Sequence, residues 1–328
     1  MTNAPIVTIF GGSGFVGRYI AQRMARAGWR VRVAVRRPND ANFVKPYGVV
    51  GQVEPIQANI RDEQSTRAAI AGADVVVNAV GILFEDGWQK FDAVQAEGAG
   101  RVARIAADEG VRQLVHISAI GADPDGASDY ARSKAEGEAA VLAAFPNAAI
   151  LRPSIIFGNE DQFFNRFAKM ARITPVLPLV GADTRFQPVY VGDVAAAAET
   201  VILNGEQGVF ELGGPEIDSF RGLIGRMLRV VRRRKLVLNL PGFVARTNAA
   251  LLSFVEFLSG GLIPNRMITA DQIKQLAVDN VVSADARGLA DLGIAPTTMD
   301  AVLDSYLYCF RPAGEFTELT ESARDLRG

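Results

Sequence analysis

The sequence predicts a doubly wound α/β domain followed by a smaller, mainly helical C-terminal part. Three observations carry this reading. Short β-type runs alternate with helical patterns through the first half of the chain, the runs are apolar at consecutive positions, and a glycine-rich turn joins the first run to the first helix. Continuously apolar strands separated by helices indicate a parallel sheet covered on both faces.

In chain order, IVTIF at 6–10 leads through FGGSGFVG into a helical pattern at 16–27. VRVAV at 31–35, a polar helical stretch and DVVVNAVG at 74–81 follow. Next come a helix ending near Glu109, LVHIS at 114–118, a helix carrying Tyr130 and Lys134, and AAILRPSIIFG at 148–158. Past Gly158 the rhythm breaks: prolines gather at Pro175, Pro178 and Pro188, and strand-like pieces appear at 187–192 and 209–214. From about Phe220 the chain is mainly helical and richer in Arg. The expected division is a sheet domain at 1–160 and a C-terminal part at 161–328, with 187–214 packing back on the sheet. The C-terminal part closes over the carboxyl edge, where such sheets bind ligands.

With 328 residues, 49% hydrophobic and 22% charged, the composition is that of a globular protein and excludes disordered and collagen-like classes. A net charge of -1 supplies no global field for nucleic acid, which is not expected as a partner. The single cysteine, Cys309, has no internal partner and fits a reducing compartment. The N-terminus enters its first β-type run within a few residues, which predicts no signal or transit segment and a cytoplasmic, bacterial location. No uninterrupted apolar run reaches the length of a membrane span.

Gly11, Gly14 and Gly17 stand three apart, directly after a strand and opening a helix. A tight turn, close approach of backbone to a pyrophosphate and close helix packing each need a residue without Cβ, and the helix N-terminus supplies N–H groups for the phosphate. In this context the motif predicts a Rossmann dinucleotide site; the alternative is a merely structural turn. Val35 is followed by Arg36 and Arg37, where an acidic residue would accept from the ribose hydroxyls of NAD. Paired guanidinium donors suit a 2′-phosphate, so the cofactor expected is NADPH. The alternative for these two residues is a solvated strand end. Tyr130 and Lys134, four apart, share one helix face, the arrangement of a proton-transfer pair before a nicotinamide ring.

These motifs, with Asn59-Ile60-Arg61-Asp62, Asn78-Ala79-Val80-Gly81 and Arg152-Pro153 to Gly158, resemble the extended or atypical short-chain dehydrogenases/reductases. The resemblance implies a nucleotide held by Gly11, Ser13, Gly14, Phe15, Val16, Arg36, Arg37, Asn59, Ile60, Ala79, Val80, Ile117, Tyr130, Lys134, Pro153 and Ile155. A narrower resemblance covers nearly the whole chain. GNEDQFFNRF from Gly158, PLVGADTRFQPVYVGDVA from Pro178 and LGIAPTTMDAVLDSYLYCFRPAGEF from Leu292 are similar to the nucleotide-binding accessory subunits of respiratory complex I, the alpha subcomplex subunit 9 family. That likeness implies an NADPH-holding subunit beside core subunits near the quinone site, peripheral on the inner membrane, without turnover of its own. The wider family implies the alternative, an NADPH-dependent reductase or epimerase of a small carbonyl or sugar-nucleotide substrate.

The likeness also places the catalytic hydroxyl of active members at Ala119, leaving Ser118 one residue early. Side chains alternate along a strand, so a one-residue offset points the hydroxyl to the other face. The candidates for catalysis are therefore Tyr130, Lys134 and Ser118, with the third out of place. His116, mid-strand in an apolar run, is expected to be a packed core residue. RVVRRRKL at 229–236 adjoins a largely apolar segment at 242–263. Together they predict an apolar surface with a basic rim, suited to anionic lipid headgroups or to a protein groove; the alternatives are a solvated face and a core helix.

Overall fold

Strands β1 (Ile6–Phe10), β2 (Arg30–Val35), β3 (Val53–Gln57), β4 (Val75–Asn78), β5 (Gln113–Ile117) and β6 (Ala149–Pro153) lie in one sheet with a late strand, Gly208–Leu212. Their order is β3-β2-β1-β4-β5-β6 and then Gly208–Leu212 at the edge, and every pair is parallel. The computed structural model describes residues 4–85, 87–240, 270–312 and 314. β4 and β5 are buried at every position, which accounts for their unbroken apolar runs.

The described helices include α1 (Phe15–Arg26), α2 (Glu63–Ile70), α3 (Glu97–Asp108), α4 (Asp129–Ala144), α5 (Phe164–Ile173), α6 (Val191–Asn204) and α7 (Phe220–Val230), with Ala270–Gln275 and Met299–Leu307 later in the chain. Ile70 of α2, Val102 and Ile105 of α3 and Val141 of α4 share a core with Val76, Leu114 and Ile150 of the sheet. α1 packs with α6, and Arg23 reaches Glu199 at 2.6 Å.

The chain divides into two units: Met1–Ser154, Val191–Gly213 and Val282–Pro296 in one, Ile155–Tyr190, Gly214–Val281 and Thr297–Gly328 in the other. The division is not contiguous in sequence, because the chain leaves the sheet unit after Ser154 and returns to it twice. Within that unit Arg152 lies 2.5 Å from Glu138 and 3.6 Å from Glu211, both carboxylates being nearly inaccessible to solvent. In the second unit Phe157, Phe164, Leu223, Met227 and Leu303 build a separate core. There Asp161 accepts from the Tyr306 hydroxyl at 2.5 Å and from the Asn165 amide at 3.0 Å, beside the start of α5.

Three stretches depart from the sequence reading. The polar region between β2 and β4 contains a 3-10 helix (Pro38–Tyr47), strand β3 and α2. β3 lies at the sheet edge and is only partly buried, so its sequence VEPIQ carries a weak apolar signal and tolerates a proline. The run at 148–158 splits after Pro153, which has no amide hydrogen to extend a ladder, and Ile156–Phe157 pairs instead with Val189–Tyr190. Only Val189–Tyr190 of the stretch 187–192 is strand; α6 begins at Val191.

Candidate functional site

The strand order reverses between β1 and β4, and in such sheets the crevice at the carboxyl ends of those strands receives the ligand. The glycine-rich turn stands there. Gly11 has φ +73°, and a Cβ on it would lie 2.9 Å from the Ala79 carbonyl oxygen, so the turn after β1 abuts the turn after β4. A Cβ on Gly17 would lie 2.3 Å from the Gly11 carbonyl oxygen and 2.7 Å from Gly12 Cα, so α1 seats directly on the loop. Gly14 caps α1 without a side-chain hydrogen bond, and the first turn carries no acidic residue. Such a helix end presents N–H donors and the positive pole of the helix dipole, which fits a pyrophosphate.

Ser13, Phe15, Val16, Ala79 and Val80 are partly accessible at this crevice, and Gly14 is exposed. The Val80 amide donates to Asn78 Oδ1 at 3.2 Å, which shapes the second turn. Arg36 and Arg37 are both exposed at the end of β2. Arg37 has only a long ion pair of 3.9 Å with Asp40, and Arg36 has no ion-pair partner among the described residues. At the β3–α2 turn, Asn59 Oδ1 accepts from the Arg61 amide at 3.1 Å and Asp62 caps α2 through the Ser65 amide at 2.8 Å. Ile60 is buried in the core and its carbonyl accepts from Arg101 at 2.6 Å. Pro153 is buried at the end of β6, while Ile155 is partly exposed and opens the second unit.

Ser128 caps α4 through the Ala131 amide at 3.1 Å, fixing the helix that bears Tyr130 and Lys134. Gly137 lets this helix approach the π-turn Asp92–Ala96, since a Cβ there would lie 2.3 Å from the Gln95 carbonyl oxygen. The approach sets Phe91 edge-on to Tyr130, ring centroids 5.9 Å apart. Lys134 Nζ lies 5.9 Å from the Tyr130 ring and donates to the Ile117 carbonyl at 3.3 Å. Burial pushes the Tyr130 phenol up to about 12 and the Lys134 ammonium down to about 8, with Glu138 acting against the second displacement.

Ser118 and Ala119 part company. The Ser118 amide donates to Leu151 at 2.7 Å and that of Ile120 to Pro153 at 3.0 Å, so the extended geometry of β5 continues past Ile117. Ser118 therefore points to the same side as His116. It is 4% exposed, and its hydroxyl has no hydrogen-bond partner among the described residues. His116, 2% exposed, accepts from Asn78 Nδ2 at 3.2 Å, and desolvation with the nearby Lys134 charge pulls its pKa down to about 3. It is a neutral core residue. A depression of about 330 Å³ beside α4 is lined by Glu85, Asp92, Asp129 and Glu136, with Arg132 the only cation among the described lining residues, a setting that repels phosphate.

Sequence reasoning did not find Phe91, Gln95, Gly137 or Glu138, whose signal is contact between segments distant in the chain. It also read the run at 229–236 as one feature, whereas the structure separates its members. Arg232 takes φ +52° and Arg233 donates to the Phe310 carbonyl at 2.8 Å, while Arg234 is exposed. The apolar segment at 242–263 lies outside the described residues. No described helix is long and apolar enough to cross a membrane.

The profile of the NAD dependent epimerase/dehydratase family matches residues 7–213. The chain is 33% identical over 316 residues to the NADH dehydrogenase [ubiquinone] 1 alpha subcomplex subunit 9, mitochondrial, of Arabidopsis thaliana, covering 94% of this chain and 79% of that protein. It is 30% identical over 306 residues to the NADH-ubiquinone oxidoreductase 40 kDa subunit, mitochondrial, of Neurospora crassa, covering 93% and 79%. The solved UDP-glucose 4-epimerase of Thermus thermophilus, complexed with NAD, superposes with a TM-score of 0.67 at 18% identity over 94% of this chain and 99% of that one. The mitochondrial relatives overturn the expectation of a cytoplasmic location in a bacterium and point to a mitochondrial one. The glycine-rich cradle fits a nicotinamide dinucleotide, the cofactor class in the family's description. By sequence and by fold, the chain belongs to the NAD dependent epimerase/dehydratase family.

Proposed function

We propose that the chain is an NADPH-binding accessory subunit of a respiratory NADH:quinone oxidoreductase, placed beside core subunits near the quinone site, in which the nucleotide stabilises the fold and is not turned over. The observation that carries this reading is the Ser118 hydroxyl, buried and turned to the His116 side, with Ala119 at the following position. A carbonyl substrate at Tyr130 then lacks its second donor, a loss worth a factor of about 10² to 10³ in rate. The phenol pKa near 12 also opposes proton transfer near neutrality. The whole-chain likeness to two complex I subunits supports the assembly role. Arg36 and Arg37 support NADPH over NADH. The nicotinamide brings hydride chemistry when bound; Tyr130 and Lys134 then serve to hold its ribose and ring.

A ligand that binds only the folded state stabilises it by mass action, which needs affinity and no chemistry. Gly14→Val, which blocks backbone approach to the pyrophosphate, is expected to lower the amount of assembled quinone reductase. Tyr130→Phe is expected to leave assembly and NADH:quinone activity near normal. The second reading, a carbonyl reductase or epimerase, is favoured by the intact Tyr130–Lys134 pair. It takes first place if the purified chain oxidises NADPH with a carbonyl substrate at an ordinary enzymatic rate and Tyr130→Phe abolishes that rate.

A further inference from the structure

The turn at 49–52 joins the 3-10 helix Pro38–Tyr47 to β3, at the amino ends of the strands and away from the glycine-rich crevice. Its backbone is fixed. The Gln52 amide donates to the Val49 carbonyl at 3.0 Å, and Gly51 takes φ +78° at the third position, where such a turn favours glycine. The Gln52 side chain accepts from the Val49 amide at 2.9 Å and donates to the Ala25 and Trp29 carbonyls at 2.6 and 3.0 Å, which ties the turn to the end of α1. The tip nevertheless carries Val49, 75% exposed, and Val50, fully exposed. Small polar residues ordinarily fill such positions. Arg26, Arg30 and Lys45 are exposed beside it: Arg26 and Arg30 follow the two residues whose carbonyls hold Gln52, and Lys45 precedes the turn in the 3-10 helix. Glu54 is the only acid between Val49 and Gln57.

We propose that the Val49–Val50 tip and its basic rim are a docking surface for an acidic segment of a partner protein, the valines seating in an apolar notch and Arg26, Arg30 and Lys45 meeting carboxylates. This rests on the reading of the chain as a subunit of an assembly and names one face by which it is held. Apolar residues scattered on a surface need no explanation. Two neighbours presented on a fixed turn are preorganised for contact, and full burial of one such side chain strengthens binding by about tenfold or more. Charge selects the occupant. Two copies of the tip would bring like charges together, and the open edge of β3, interrupted by Pro55, is a poor template for an added strand. An anionic bilayer shares the charge, but membrane-seated surfaces are rich in Trp, Tyr, Phe and Leu, which are absent from Val49-Val50-Gly51. An acidic protein segment satisfies both the valines and the rim.

The test uses the full tagged chain in cells, with the quinone reductase isolated from detergent-solubilised membranes and the amount of chain retained in it measured. The unaltered chain is compared with the double variants Val49→Ser with Val50→Ser and Arg26→Glu with Arg30→Glu, thermal unfolding of each purified chain establishing that it is folded. Each double variant is expected to lower retention by about tenfold or more. Carbodiimide coupling of the isolated assembly is expected to join Lys45 to an Asp or Glu of another subunit, identified by mass spectrometry. Retention of either variant at the level of the unaltered chain overturns the proposal and leaves the subunit reading standing. Coupling of Lys45 only within this chain, or to a second copy of it, overturns it as well. Binding of the purified chain to vesicles of phosphatidylcholine with phosphatidylglycerol, lost in the valine variant, assigns the tip to a lipid surface and overturns the protein partner. Absence of the unaltered chain from the isolated quinone reductase removes the subunit reading and the proposal with it.

Discussion

Lys134 Nζ donates to the carbonyl oxygen of Ile117 at 3.3 Å, in a setting where the lysine is only 5% exposed. Burial holds its pKa at about 8 against an ordinary 10.5. Between these values the unfolded chain binds one proton more than the folded one, so stability rises with pH across this window and falls back as pH drops to 8. The slope for one proton is about 1.4 kcal/mol per pH unit. Urea denaturation of the nucleotide-free protein at several pH values between 8 and 10.5 should show this rise, and Lys134→Met should flatten it. An unchanged slope in the variant places the proton elsewhere.

Ser118→Ala removes a buried hydroxyl that has no partner among the described residues. An unsatisfied buried polar group costs about 1 to 3 kcal/mol. The variant is therefore expected to unfold at equal or higher urea concentration, with nucleotide affinity unchanged. A clear loss of stability would mean that the hydroxyl has a partner in solution.

Gly17 and Gly225 are both helical glycines with opposite surroundings. A Cβ on Gly17 meets loop backbone at 2.3 Å, whereas one on Gly225 meets nothing within 4 Å. Gly17→Ala should destabilise the chain by at least about 1 to 3 kcal/mol, through overpacking, and weaken nucleotide binding. Gly225→Ala should stabilise it by about 0.5 to 1 kcal/mol. Midpoints of thermal unfolding moving in the same direction would contradict this pairing.

Arg152 stands between the nearly inaccessible carboxylates of Glu138 and Glu211. Removing one partner of a buried pair costs about 3 to 5 kcal/mol because the other charge is left uncompensated. Arg152→Met is expected to lose stability on that scale, and Arg152→Met combined with Glu138→Gln and Glu211→Gln is expected to recover most of the loss in urea denaturation. No recovery in the combined variant would point to packing.

Much of this molecule is decided locally, and that part was legible in the residues. Continuous apolar runs such as VVVN and QLVHI belong to strands buried on both faces, and Gly11 and Gly17 of the three spaced glycines stand where a Cβ would strike backbone. Edge strand β3 and the start of α6 were not legible, because partial burial and a shift from strand to helix within a few residues blur any periodicity. The candidate site divides in the same way. Spacing alone put Tyr130 and Lys134 on one helix face, but Phe91 edge-on to the phenol, Gly137 against Gln95, and Arg18 stacked on Phe43 depend on which segments the topology brings together. Whether a lysine ionises near pH 8 or a serine faces inward depends on burial, which the sheet and its helices create and a linear pattern does not contain. Period determined the class of fold and the glycine spacing the kind of ligand; long-range packing decided how each charge and hydroxyl is used.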